Sequence, residues 1–219
     1  LLEECMRGVL NDNVDRRISV FDPLELIVEN LEEDTSEQCF VPNHPKYFDR
    51  GKREITFGKR LLIERSDFQV NPQKKFFRLT PGGRVRLKYA YVVECTGYEQ
   101  KDGVVSSVKV RMLKDSKSGT KSSDNYKVKG NIHWLNKKNA VPCEVMVFED
   151  LFENKYGEDK SKKQSEELSL NTKSKIILQA FVEPSAVDAP NRSKFQFERH
   201  GYFILNKGEK NESCSFGKI

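Results

Sequence analysis

The ten residues Lys194-Phe-Gln-Phe-Glu-Arg-His-Gly-Tyr-Phe203 hold the side chains best suited to chemistry. Rings alternate with an amide and with charges, so a strand would carry Gln196 and Glu198 on one face and Phe195 and Phe197 on the other. Such a face suits the capture of a splayed-out nucleic-acid base. The Gln196 amide both donates to and accepts from a Watson–Crick edge, Arg199 adds a guanidinium, and rings stack on the base plane. Alternating aromatic strands also build ordinary sheet core, and these ten residues alone leave both readings open.

The bulk of the chain narrows the choice. Its 219 residues can bury a real core, in one large or two small domains. Only 37% of residues are hydrophobic while 32% are charged, a balance that fits small barrels with much surface. The net charge of +5 hides an asymmetry. Residues 1–40 hold eleven acids against three bases, whereas 71–130 hold fourteen bases against five acids. A basic block of that kind is the footprint of a polyanion-binding surface, or of a solvated lysine-rich face.

Catalytic signals are missing from the sequence. It has no phosphate-binding loop, no Gly-rich dinucleotide turn and no nucleophile elbow. Five scattered cysteines form no C-x-x-C pair, which points away from a disulfide framework or a zinc site and towards a reducing, cytoplasmic setting. The histidines His44, His133 and His200 lie far apart without metal spacing, and His133 reads as a structural histidine in a strand. No apolar run nears the roughly 18 residues of a membrane span, and the acidic start argues against a signal peptide.

Positioning elements follow from periodicity. Leu1, Leu2, Cys5, Met6, Val9 and Leu10 recur at helical spacing, and 11–13 read as the stop. The helix opens without a cap signal, as expected of a piece cut from a longer protein. After Asp22-Pro23 the pattern turns to strands at 24–28, 55–57, 61–63, 84–95, 104–113, 127–134, 143–147, 174–181 and 195–205. A proline-punctuated loop spans 41–46, and the polar stretches 115–125 and 158–167 read as flexible excursions. Many short strands with little helix predict an all-β architecture of barrels or sandwiches.

Several motifs then fall into one order. They are Arg16 with Ile-Ser-Val-Phe-Asp-Pro23, Asn43-His-Pro45, Arg78-Leu79, Gly83-Arg-Val-Arg-Leu87, Lys129-Gly-Asn-Ile-His-Trp134, Val145-Met-Val-Phe-Glu-Asp-Leu-Phe152 and the closing 195–203 strand. This ordered set resembles the C-terminal anticodon-binding region of glutaminyl-tRNA synthetases of class I, and spans nearly the whole chain. The resemblance implies two β-barrels, ribosomal protein L25-like, preceded by a short helical linker. Residues 1–15 would end the linker, 16–72 plus 166–219 form the proximal barrel, and 73–165 form the distal barrel.

The resemblance also implies roles. Arg16, Gln196 and Arg199 match residues around the middle anticodon base, a uracil. Arg78 matches the arginine that reads the third base, a guanine, and Arg86 the one at the first base, where cytosine and uracil are both accepted. Lys74 and Lys88 complete the anticodon-binding set. No catalytic or metal-binding residue is implied. Phe77 stands where bacterial members carry lysine, so a contact is lost or replaced by stacking, unless Phe77 is simply core. Lys88 keeps the charge of a family arginine without its fork.

The implied partners are tRNA-Gln and a catalytic Rossmann domain outside these residues, in a cytoplasmic monomer that touches no membrane. ATP would serve the full-length ligase, and no cofactor is expected in this piece, which alone should not aminoacylate. The alternatives are the matching region of a glutamyl-tRNA synthetase, a standalone L25-like RNA-binding protein, and a protein–protein scaffold.

Overall fold

The computed structural model describes residues 2–152, 170–208 and 214–219. It opens with the expected helix, α1 (Leu2–Asn13). Helix ends leave carbonyls without partners, and here the neighbouring motifs supply them. Arg16 Nη2 and His44 Nε2 both reach the Asn11 carbonyl, at 3.0 and 2.9 Å, and Arg16 Nη1 takes that of Val14 at 2.9 Å.

Sixteen short strands follow among the described residues. They are β1 (Asp15–Arg17), β2 (Ser19–Val20), β3 (Pro23–Val28), β4 (Ser36–Pro42), β5 (Lys52–Gly58), β6 (Arg60–Glu64), β7 (Arg84–Leu87) and β8 (Val92–Lys101). Then come β9 (Val104–Met112), β10 (Gly130–Ile132), β11 (Leu135–Asn136), β12 (Val141–Phe148), β13 (Lys175–Val182), β14 (Lys194–Phe197), β15 (Gly201–Lys207) and β16 (Cys214–Lys218). The short helix α2 (Pro184–Val187) interrupts them.

Two seven-stranded sheets result, ordered β1-β14-β15-β16-β12-β13-β2 and β10-β7-β8-β9-β3-β6-β11, with β4 and β5 as a separate ribbon. In each large sheet the two edge strands are consecutive in sequence. Ile18 alone separates β1 from β2, and His133-Trp134 separates β10 from β11. A segment that short can serve both edges only if the sheet curls back on itself. The chain is thus all-β with two barrel-like sheets, one nearly closed and one a half-barrel. One core packs Phe57, Trp134 and the aliphatics of β3, β6 and β8, and the other packs Phe195, Phe197, Phe203 and Phe216.

The sheets divide the chain at other places than expected. Strands β3 and β6 pair into the sheet of β7–β9, so the insert runs from 23 to 136 rather than from 73. Strand β12 pairs with β13 and β16, which puts 141–148 in the outer sheet. The reason is the crossover at Phe21-Asp22, where both backbone N–H groups donate to Glu64 and send the chain from one sheet into the other.

Other differences are local. The single strand predicted over 84–95 is a hairpin, turning at Tyr89 with φ of 64°. The 195–205 strand is also a hairpin, with Glu198, Arg199 and His200 between the Phe197–Gly201 pair. Residues 36–42 form a strand that the loop reading overlapped, leaving a loop from Asn43. Segment 115–125 is built rather than flexible: Ser116 is buried, accepts the Val92 N–H at 2.8 Å and donates to the Leu113 carbonyl. Stretch 158–167 lies outside the described residues. The cysteines are free thiols, and burial lifts Cys39 to about 11 and Cys143 to about 12, so both pack as inert protonated groups. Among the described residues no helix is long and apolar enough to cross a membrane.

Candidate nucleic-acid interface

Strands β1 and β14 run parallel with Arg16 opposite Gln196, and β15 places Tyr202 on the other side of Gln196. Phe195 and Phe197 point into the core, as the alternation predicted, so the Gln196 amide faces out. It lines a cleft of about 1060 Å³ together with Arg199, Tyr202 and Lys218, with Arg7 and Asn11 of α1 on the facing wall. Arg16 is not on that wall as a free fork. Its guanidinium is buried and spent on Val14 and Asn11, including the Asn11 side chain at 2.8 Å. It braces the helix against the Gln196 strand, and burial lowers its pKa.

The turn after β14 aims three consecutive side chains at the second sheet. Glu198 Oε2 accepts Lys88 Nζ at 2.5 Å, Arg199 Nη1 donates to Asp67 Oδ2 at 2.7 Å, and His200 Nε2 lies 2.9 Å from Glu64 Oε1. Arg199 achieves this with φ of 74°, a backbone region that L residues avoid. Asp67 also contacts Arg78, whose Nε is 3.2 Å from Oδ1. Arg78 further donates to the Ser66 carbonyl at 3.2 Å. Two arginines, one in the β14–β15 turn and one in the segment ahead of β7, thus share one buried carboxylate.

Phe77 is 53% exposed, which removes the core reading, and Lys129 Nζ sits 5.5 Å above its ring. Lys74 stands exposed in the same stretch. Lys88 is held by Glu198, and its carbonyl accepts the Trp134 indole N–H at 3.0 Å.

Arg86 lies elsewhere, beside a hollow of about 710 Å³ lined by Ser118, Tyr126, Lys127 and Asn131. Its guanidinium donates to the carbonyls of Ser116, Ser123 and Tyr126 and to Ser118 Oγ, at 2.7 to 3.4 Å. Arg86 shapes this hollow, and Lys127 and Asn131 present the polar groups. Sequence reasoning passed over those two and Asp67. The only signal for Asn131 was its place inside the Gly130-Asn-Ile132 motif, and nothing local marked Asp67.

The histidines, distant in sequence, meet in space. Glu64, His133 and His200 bring one ligand atom each within 4.8 Å of one another, the metal-like grouping found among the described residues. The carboxylate is already engaged, however, by the N–H groups of Phe21 and Asp22 at 2.7 and 3.1 Å and by the His200 ring. His200 also stacks on Phe21 at 3.9 Å. Glu64 and His200 form a hydrogen-bonded junction between the sheets, with the buried His133 ring nitrogen 3.9 Å from the carboxylate. Burial alone would raise the Glu64 pKa, but the two rings and two amides outweigh it and hold the group well below its ordinary 4.5. A depressed carboxylate contributes stability above its unfolded pKa and loses it as pH falls. Urea unfolding between about pH 5 and pH 3 should therefore show the wild type losing more stability than Glu64→Gln. Parallel losses would mean that Glu64 does not drive the acid sensitivity.

The charge asymmetry partly cancels in three dimensions. Arg60 pairs with Glu25 and Glu33, Lys137 with Glu25, and Lys117 with Glu37. Within the basic block, Arg84 pairs with Glu94 and Lys109 with Glu99. Acids from outside the block neutralise two of its lysines, Glu37 at Lys117 and Glu198 at Lys88.

Comparison with known proteins gives the family. The family described as tRNA synthetases class I (E and Q), anti-codon binding domain, matches residues 14–113, and a second description in the same words matches 131–206. A protein named glutamine–tRNA ligase from Polynucleobacter necessarius is 43% identical over 215 residues, covering 95% of this chain and 36% of that protein. Proteins of the same name from Cupriavidus metallidurans and Nitrosomonas europaea are 42% and 41% identical over 94% of the chain. The chain spans 35–37% of the length of these curated relatives. It belongs to the class I (E and Q) tRNA synthetases, and it is their anticodon-binding region.

Proposed function

We propose that this chain reads the anticodon of tRNA-Gln for a glutamine–tRNA ligase. The carrying observation is that Gln196 and Arg199 line one cleft while Arg199 and Arg78 meet on Asp67. Residues distant in sequence thus converge at one seam between the sheets. Gln196 and Arg199 take the middle uracil, whose edge offers one donor between two acceptors. Arg78 takes the third base, a guanine, through N7 and O6. The exposed Phe77 ring supplies a stacking surface beside it, worth about 1–3 kcal/mol per base.

The first base enters the Arg86 hollow, where Lys127 and Asn131 meet it without choosing between pyrimidines. Lys74 contacts phosphate, and Lys88 and Arg16 act as supports that hold Glu198 and α1 in place. The whole enzyme would join glutamine to tRNA-Gln with ATP, as a cytoplasmic monomer, through a catalytic domain outside these residues. The sheet of β1, β2 and β12–β16 is the proximal barrel of this reading, and the sheet of β3 and β6–β11 the distal one.

The test is binding of the chain to anticodon stem–loops by fluorescence anisotropy. Affinity should fall steeply with salt, and Gln196→Ala should lower discrimination at the middle base by about 1–3 kcal/mol. Salt-insensitive binding would point to a protein scaffold instead. Equal affinity for tRNA-Glu and tRNA-Gln stem–loops would move the assignment to glutamate.

A further inference from the structure

We propose that Asp67 is a positioning residue that makes the middle and third anticodon bases read as one unit. The inference rests on the reading above, in which Arg199 and Arg78 contact those bases. Asp67 ends the 3-10 turn Arg65–Asp67 directly after β6, and it is fully buried. Its carboxylate lies between two cations from separate stretches of the chain: Arg199 Nη1 donates to Oδ2 at 2.7 Å, and Arg78 Nε forms an ion pair with Oδ1 at 3.2 Å. The Asp67 carbonyl also accepts the Leu79 N–H at 2.9 Å, and Ser66 accepts from Arg78, so the segment carrying Arg78 is sewn to this turn twice.

Both arginine side chains remain partly open, 32% exposed at Arg199 and 40% at Arg78. Each therefore keeps N–H donors for RNA after its share of Asp67 is spent. One buried negative charge between two positive ones leaves a net single charge at the seam. It also holds the two forks close to each other, through a hydrogen bond at Arg199 and an ion pair at Arg78. A pull on Arg78 by a guanine alters the hold of Asp67 on Arg199, which the strained turn at φ of 74° keeps poised over the carboxylate. Two side chains that share one buried partner respond together rather than independently.

The test measures four anticodon stem–loops against the chain: the matched one, a middle-base change, a third-base change, and both changes. In the wild type the double change should cost about tenfold less than the product of the single costs, a coupling of ordinary size for linked sites. Asp67→Asn keeps the shape and removes the charge. It should bring the costs to additivity within about twofold and lower discrimination at both bases. Arg199→Ala gives the same test without touching Asp67, and should weaken third-base discrimination as well as middle-base discrimination.

Thermal melting checks that each variant is folded, and if Asp67→Asn is not, Arg199→Ala decides. Additive costs in the wild type, or coupling that survives in Asp67→Asn, would overturn the inference while leaving the anticodon reading intact. A wild type that discriminates at neither base would overturn both.

Discussion

Replacing Glu183 by alanine should destabilise the chain by about 3–5 kcal/mol, the cost of stranding buried charge. The Glu183 side chain is 1% exposed, and Arg53 grips it with Nε at 2.5 Å and Nη2 at 3.1 Å. Arg17 adds its Nε at 3.4 Å, and Ser185 Oγ donates at 2.6 Å. Both arginine side chains are at most 10% exposed. Burial, and then the neighbouring Arg53, already lower the pKa of Arg17. Without the carboxylate, two buried cations would face one another with nothing between. Glu183 follows β13, Arg53 lies on β5 and Arg17 on β1, so the loss reaches three elements at once. Urea unfolding measures it. A change below about 1 kcal/mol would equate this buried triad with an exposed pair.

Gly130→Ala should act on both stability and reading. Its φ is unremarkable; the constraint is space. A Cβ there would lie 2.1 Å from the Phe77 carbonyl oxygen and 2.8 Å from Val85 Cγ1, distances that force the backbone of 76–78 to move. That stretch carries the exposed Phe77 and the Arg78 fork. We expect a loss of about 1–3 kcal/mol in stability, as in overpacked cores. Discrimination at the third base should fall about tenfold, while the middle base is read nearly as before. Stem–loop binding at low temperature, where the variant remains folded, separates the two effects. Wild-type third-base discrimination in Gly130→Ala would show that the segment does not set the Arg78 position.

Much of this architecture was legible in the residues. Period-two alternation placed Phe195 and Phe197 inside and Gln196 outside, and the 3.6 spacing found α1. Both hairpin turns escaped for one reason. Tyr89 and Arg199 occupy left-handed backbone without being glycine or asparagine, and their side chains keep the alternating pattern running through the bend. The sheet boundary escaped because it depends on Glu64 accepting two backbone N–H groups some forty residues upstream, which no local signal encodes. The charge footprint was overstated because linear counts ignore pairing. Glu37 and Lys117 belong to opposite blocks, yet they bond. For the site itself, residue types singled out Gln196 and Arg199 and the family resemblance added Arg78, but neither showed that Arg16 and Arg86 spend their donors on backbone carbonyls.

The edge pairing of the outer sheet has a consequence for synthesis on the ribosome. Arg16 finds its register partner only when Gln196 has emerged, whereas the strands of 23–136 need nothing made after Asn136. The inner unit can therefore settle while β1 and β2 wait unpaired, and the closing stretch acts as a zip fastener drawn last. A release that stops short of β13 would leave a nascent product with its first two strands orphaned, an early handle for quality-control proteases.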